Sequence, residues 1–128
     1  MKSEVPILDV IAQTIFDKKG FNILVLDVRG ISTMTDYFVI AEGTVDRHVR
    51  SICFEISAKL REMGYKPLHT EGEKDGDWVV IDFGEVVIHL FIPDVREKYA
   101  LEEVWKSGKI VDVEIAVHKD EEKVARAK

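Results

Sequence analysis

Apolar residues recur along the chain with a helical spacing in two long segments. In residues 5–19 they fall on one helical face, and residues 45–63 repeat the pattern. Gly64 follows in the left-handed position that often ends a helix. The buried stripe of the second helix comprises Val49, Ile52, Cys53, Ile56, Leu60 and Met63. We therefore predict two amphipathic helices, the second capped by Thr44, with Cys53 in the core and not a nucleophile.

Runs of branched and aromatic residues predict strands around these helices. Residues 21–28 form an apolar run, which favours a strand buried on both faces. Residues 36–41 predict a second strand, and residues 65–70 predict a short one whose proline favours a sheet edge. Towards the C-terminus, residues 95–105 have a helical spacing and residues 110–117 alternate as a last strand does.

The clearest feature is a hairpin formed by residues 78–83 and 86–91. Gly84 and Glu85 make a two-residue connection with glycine first, which suits a type II′ turn and fixes the register of every pair above it. Directly opposed residues share a face, and successive pairs alternate between faces. One face is wholly apolar and is predicted to face the core: Val79, Ile81, Phe83, Val86, Ile88 and Leu90. The other face mixes aromatic side chains with an imidazole and a carboxylate: Trp78, Val80, Asp82, Val87, His89 and Phe91.

If this second face is uncovered, it forms an aromatic patch of the kind that marks a docking site. Residues 71–85 contain six carboxylates and one base, so an acidic rim beside the aromatic side chains suits a basic partner. The candidate docking residues are Trp78, Asp82, His89 and Phe91 on the hairpin, with Glu71, Glu73 and Asp77 on the rim. The alternatives are that a helix or the C-terminal segment covers this face, and that the acidic loop is merely solvated.

The order of the predicted elements implies a single α/β (α+β) domain, a mixed five-stranded sheet with helices packed on it. We place the domain at residues 1–118 and a charged, flexible tail at residues 119–128. The chain has 128 residues, of which 46% are hydrophobic, so a core is possible without disulfides. One cysteine, no signal peptide and no membrane-spanning apolar stretch lead us to expect a cytoplasmic protein. The net charge of −6 argues against a broad nucleic-acid footprint.

Several motifs in a fixed order resemble the ribosomal silencing factor (Iojap) family. They are Thr35-Asp36-Tyr37-Phe38-Val39-Ile40, Gly43-Thr44, Arg47-His48-Val49, Glu71-Gly72, residues 76–84, residues 86–91, Arg96, Tyr99, Leu101-Glu102 and Trp105. The set spans residues 7–111, nearly the whole chain, and it is specific as an ordered set. Glu42 departs from the pattern, because such families usually have a small residue before Gly43-Thr44.

The resemblance implies a fold related to nucleotidyltransferases but without their catalysis, and thus no enzyme activity, cofactor or small-molecule substrate. It also implies binding to the large ribosomal subunit through ribosomal protein fourteen (universal numbering). This contact would sterically block association with the small subunit and repress translation when nutrients are scarce. Arg96, Tyr99 and Trp105 belong to the family's pattern and are further candidates for docking, with local packing as the alternative role.

Other functions have less support in the sequence. A nucleotidyltransferase enzyme needs a Gly-Ser turn and two metal-binding carboxylates on one strand. Gly30-Ile31-Ser32 is a loose version of the turn, and the paired aspartates of residues 75–77 lie in a glycine loop. The four histidines match no common metal-site spacing. Arg47, His48 and Arg50 form a small basic cluster suited to a minor ribosomal RNA contact, and a homodimer is a way to cover the aromatic face.

Overall fold

A six-stranded sheet with helices on its faces forms the framework of the protein. The computed structural model describes residues 6–99, 108–113 and 115. Its helices are α1 (Pro6–Asp17), α2 (Asp46–Glu62) and α3 (Pro93–Tyr99). Its strands are β1 (Phe21–Asp27), β2 (Tyr37–Glu42), β3 (His69–Glu71), β4 (Trp78–Asp82), β5 (Val86–Phe91) and β6 (Lys109–Ile110).

The strands lie side by side in the order β3-β4-β5-β2-β1-β6, so the sheet has six strands and not the predicted five. β2 and β5 run parallel, and the other neighbouring pairs are antiparallel. A parallel pair needs a crossover connection, and the segment that contains α2 supplies it. The count of five is one too low, because all six of the strands predicted along the chain join one sheet; its edge strands β3 and β6 have only three and two residues.

Three predicted elements are shorter or shifted in the structure. The short strand predicted at residues 65–70 begins only at His69. The strand predicted at residues 110–117 contributes only Lys109–Ile110, and of its remainder residues 114, 116 and 117 lie outside the described residues. α3 begins at Pro93, two residues before the predicted start, because proline is well tolerated in a first helical turn. Residues 100–105 of that predicted helix lie outside the described residues.

The face covered by α1 and α2 carries the main hydrophobic core. The central hairpin side chains predicted to face it have no exposed surface: Val79, Ile81, Ile88 and Leu90. The α2 stripe is buried as predicted from Val49 to Leu60, but Met63 is 43% exposed because the helix ends at Glu62. Cys53 is confirmed as a core residue, and burial raises the pKa of its thiol to about 12.

The start of α2 differs from the predicted cap. Its N-cap residue is Val45, no side chain caps the helix, and Thr44 therefore does not have the predicted role. Instead, the N–H of Thr44 donates to Nδ1 of His48 at 2.8 Å, and Nε2 of His48 lies 2.6 Å from the carbonyl oxygen of Lys18. Because Nδ1 accepts, the ring proton is on Nε2 and donates to that carbonyl. His48 thus joins the start of α2 to the end of α1, while Gly64 ends α2 with the predicted positive φ of 91°.

β1 is buried on both faces only in its second half. Val25 packs in the core under α1 and α2, and Leu26 packs in a second cluster on the opposite face. Asn22 has a φ of +52°, and the pairing register shifts between Phe21 and Leu24. The start of the strand is therefore irregular and partly exposed, and the prediction of burial on both faces is wrong there.

Candidate docking surface

The β4–β5 hairpin has the register predicted from its turn. All five described pairs match: Trp78–Phe91, Val79–Leu90, Val80–His89, Ile81–Ile88 and Asp82–Val87. Gly84 has a φ of +91°, and the N–H of Phe83 donates to the carbonyl oxygen of Val86 at 2.9 Å, which closes the turn. Since the alternate side chains fill the core under α1 and α2, Trp78 lies on the opposite face of the sheet.

The centre of this face is covered, contrary to the prediction of an open aromatic surface. Phe91 and Ile40 have no exposed surface, and Phe38 is 3% exposed. They form a cluster with Leu26, and Val95 of α3 packs against it. Phe91 therefore supports the surface from below, which corrects its assignment as a contact residue.

The accessible part of this face lies on β4 and the adjoining side chains of β5. Its members are all partly exposed, and we call them the hairpin flank: Trp78, Val80, Asp82, Val87 and His89. Trp78 and Val87 also pack against the second cluster. The flank is therefore a shallow surface on a rigid base and much smaller than the whole aromatic face.

A hydrogen bond joins Trp78 and His89 within the flank. The indole Nε1 donates to Nδ1 of the imidazole at 2.9 Å. The imidazole centroid lies 4.7 Å from that of the Phe38 ring and 6.4 Å from that of the Phe91 ring. Burial lowers the pKa of His89 to about 4, so the imidazole is neutral at pH 7 and its Nδ1 is free to accept.

Two acidic candidates have local partners. Oδ1 of Asp82 accepts the N–H of Gly84 at 2.7 Å, so this carboxylate stabilises the hairpin turn. Oε1 of Glu71 lies 2.7 Å from Nε2 of His69, and both side chains are well exposed. Such a surface pair contributes little to stability, which leaves Glu71 able to exchange partners.

The loop of residues 72–77 carries the other two acidic candidates. Both are exposed, but only Asp77, which directly precedes Trp78, lies beside the flank. Glu73 lines a pocket with Phe54 of α2, on the other side of the sheet, so its predicted place on the rim is not supported. Nη1 of Arg50 donates to two loop carbonyl oxygens at 3.4 and 3.1 Å, and the Asp77 carbonyl accepts the N–H of Ile92 at 3.1 Å. These bonds hold the loop against α2 and against the end of β5. Arg50 thus has a structural role, although its sequence position suggested contact with RNA.

Of the α3 residues in the family's pattern, Arg96 has a clear structural role. Nη1 of Arg96 donates to Oε2 of Glu42 at 2.9 Å and to the carbonyl oxygen of Asn22, and the ion pair is almost completely buried. Packing is therefore the role of Arg96 in the structure, and its docking role is not supported. From the sequence, Glu42 is noted only as a departure from the family's pattern. The missed signal was its place directly after the apolar run of residues 37–41, where a buried carboxylate needs a partner. Tyr99 ends α3 and its docking role stays a prediction, while Trp105 lies outside the described residues.

The arrangement offers no recognisable catalytic or metal centre in the part of the chain that the structure describes. No group of three or more His, Cys, Asp or Glu residues there lies close enough to hold a metal ion. The loop at Gly30-Ile31-Ser32 is closed by its own serine, whose Oγ accepts the N–H of Met34 at 3.1 Å. None of the described helices has the length and apolar character needed to span a bilayer.

Comparison with known proteins connects this geometry to a family. The family model described as "Ribosomal silencing factor during starvation" matches residues 2–128. The "Ribosomal silencing factor RsfS" of Bacillus subtilis is 37% identical over 112 residues, covering 88% of this chain and 95% of the relative. The mouse "Mitochondrial assembly of ribosomal large subunit protein 1" is 32% identical over 101 residues, covering 77% and 44%. A crystal structure of a Chromobacterium violaceum protein superposes with a TM-score of 0.76 at 30% identity, covering 88% and 91%.

Proposed function

Because the chain belongs to the ribosomal silencing factor family, we propose that it docks on the large ribosomal subunit and prevents association with the small subunit. The contact on that subunit is ribosomal protein fourteen, and the result is repression of translation when nutrients are limiting. The mechanism is competition for a surface, with no bond made or broken, no cofactor and no small-molecule substrate. We place this function in the cytoplasm, as expected for a relative of bacterial ribosomal silencing factors.

The observation that carries the proposal is the half-buried Trp78 on the hairpin flank, next to an exposed acidic loop. Tryptophan in a desolvated position surrounded by polar residues is the composition of interface hot spots. The flank is fixed from below by buried Phe91 and Phe38, so little reorganisation is needed on binding.

Charge supports a basic partner. The whole chain has a net charge of −6, and Glu71 and Asp77 are exposed beside the flank. Complementary charges chiefly accelerate association, and exposed pairs contribute little to affinity. A basic ribosomal protein fits this surface better than ribosomal RNA does, and the name of the mouse relative also refers to the large ribosomal subunit.

Sedimentation with purified ribosomal subunits tests the proposal. Trp78→Ala removes the central aromatic side chain, and a hot-spot loss of about 2 kcal/mol or more corresponds to affinity weakened about 30-fold. Phe54→Ala is the matched control, because Phe54 is 74% exposed on α2, on the other side of the sheet. We expect the control to co-sediment with large subunits and to block joining with small subunits as the original protein does.

The outcomes distinguish a wrong docking surface from a wrong partner. If Trp78→Ala binds as well as Phe54→Ala and still blocks joining, the hairpin flank is not the docking surface. If neither the original protein nor the control binds large subunits, the proposed partner is wrong. Unfolding curves in urea for both variants ensure that lost binding is not lost folding.

A minor contact with ribosomal RNA and a homodimer remain secondary proposals. Of the basic cluster at the start of α2, Arg50 bonds to the acidic loop and His48 to the end of α1, which leaves Arg47 as the main candidate for a phosphate. A steep dependence of subunit binding on salt would favour the RNA contact. Mass measurement of the free protein, with and without Trp78→Ala, tests whether a second copy covers the flank.

A further inference from the structure

We infer that His89 is a positioning residue for docking, because its Nδ1 holds the Trp78 indole in the orientation that the partner meets. The inference deepens the proposed function and rests on it. Its basis is the 2.9 Å hydrogen bond from the indole Nε1 to Nδ1 of the imidazole. The bond joins neighbouring strands of the hairpin, since Trp78 lies on β4 and His89 on β5.

The imidazole is itself held in place by the core. β5 lies between β4 and β2 in the sheet, and the His89 ring stacks at a tilt on Phe38 of β2 at 4.7 Å between centroids. Phe91, two residues further along β5, is completely buried and lies 6.0 Å from the indole. A fixed ring therefore orients a partly exposed one, so the position of the indole is set before any partner arrives.

Only one form of the imidazole can do this. A neutral histidine has one ring nitrogen that donates and one that accepts, whereas a protonated ring donates from both. Because Nδ1 accepts from the indole, the ring proton of His89 must be on Nε2. Protonation of Nδ1 would replace an attraction with two opposed N–H groups and release the indole.

The surroundings favour the neutral form at physiological pH. Charged side chains on this face of the described strands are Asp82, Glu42, Glu71 and His69. Each has another partner: Asp82 bonds to the N–H of Gly84, Glu71 pairs with His69, and Glu42 pairs with Arg96 of α3. The other charged side chains of α3 are exposed to solvent: Asp94, Glu97 and Lys98. Burial, rather than a neighbouring charge, therefore lowers the pKa of His89.

Two variants distinguish the hydrogen bond that His89 accepts from the space that its side chain fills. His89→Asn keeps an acceptor near the place of Nδ1, whereas His89→Leu fills similar space without one. We expect His89→Asn to bind large subunits within about twofold of the original, and His89→Leu to bind about three- to tenfold more weakly, because the free indole must be ordered on binding. In a Trp78→Ala background, His89→Leu should have no further effect on binding.

Nuclear magnetic resonance of the free protein tests the pair without ribosomes. ¹⁵N shifts should show an unprotonated Nδ1 in His89 at pH 7, and the Trp78 indole N–H signal should move in His89→Leu but little in His89→Asn. A protonated Nδ1 would overturn the inference even if no variant folds. Two binding results would also overturn it. One is that His89→Leu binds large subunits as tightly as the original protein does. The other is that His89→Leu weakens binding by the same factor in the Trp78→Ala background, which would mean that His89 contacts the partner directly. If Trp78→Ala binds normally, the proposed docking site itself fails, while intact NMR signatures would show that the pair exists without that role.

Discussion

The buried pair between Glu42 and Arg96 allows a quantitative test of how α3 is attached to the sheet. Oε2 of Glu42 accepts from Nη1 of Arg96 and from Nδ2 of Asn22, each at 2.9 Å. The side chains of Glu42 and Arg96 are 7% and 14% exposed, so neither charge is well solvated. The perturbation is Glu42→Ala, which leaves the guanidinium in place without its counter-charge.

The expected loss follows from burial. Removing one partner of a buried ion pair costs about 3–5 kcal/mol, because the remaining charge stays desolvated. Stability of an ordinary domain is about 5–15 kcal/mol, so Glu42→Ala should remove a large share of it. Replacing both residues with alanine removes the two charges together and should cost much less than the sum of Glu42→Ala and Arg96→Ala.

Urea unfolding followed by circular dichroism measures all four proteins in this cycle. We expect a coupling free energy of about 2 kcal/mol or more between positions 42 and 96. If Glu42→Ala costs less than about 1 kcal/mol, or if the two single losses add up in the double variant, the pair does not hold α3 and this reasoning is refuted. A change in the slope of the unfolding curve would point instead to an altered unfolded state.

Two further predictions concern a glycine and the cysteine. An added Cβ at Gly72, where φ is +84°, would overlap the carbonyl oxygen of Trp78, whereas Gly30 has a similar φ of +82° and open space around it. Gly72→Ala should therefore destabilise the protein more than Gly30→Ala, whose cost is about 1–2 kcal/mol, and equal losses in urea unfolding would contradict this. Cys53 has a folded-state pKa of about 12, above the ordinary value of 9.0, so its contribution to stability should be lost as pH rises from about 9 to 12. Cys53→Ala should flatten that part of the stability profile, and an unchanged profile would show that another group titrates there.

The hairpin shows which part of the fold the sequence determines locally. Gly84 at the first turn position sets the turn type, the turn sets the register, and the register sets which side chains share a face. Each step depends on neighbours along the chain. All pairs from Trp78–Phe91 to Asp82–Val87 could therefore be predicted, together with the core face.

The covering of the opposite face could not be read from the hairpin because it depends on residues distant in sequence. Phe38 and Ile40 come from β2, which pairs in parallel with β5, and Val95 comes from α3. One signal was present in the sequence: residues 37–41 form an unbroken apolar run, which favours a central strand with both faces covered. In the structure, residues 37–42 are buried at every position. In the structure, the neighbour of the central strand β2 is β5, and Ile40 of β2 lies opposite His89. The sequence did not reveal that β5 lay beside β2.

This partial covering reduces the apolar area that the proposed docking surface can offer. A fully open aromatic face would offer a large apolar area to any partner, including a second copy of the chain. With Phe91 and Phe38 sealed, the apolar contact is reduced to Trp78 and its neighbours on the hairpin flank. Under the proposed function, so small a patch discriminates poorly by area, and specificity would come from the fixed orientation of the indole and from the acidic residues at its edge. The Glu42–Arg96 pair acts on the same surface indirectly, since it fastens the helix whose Val95 packs against the cluster beneath it.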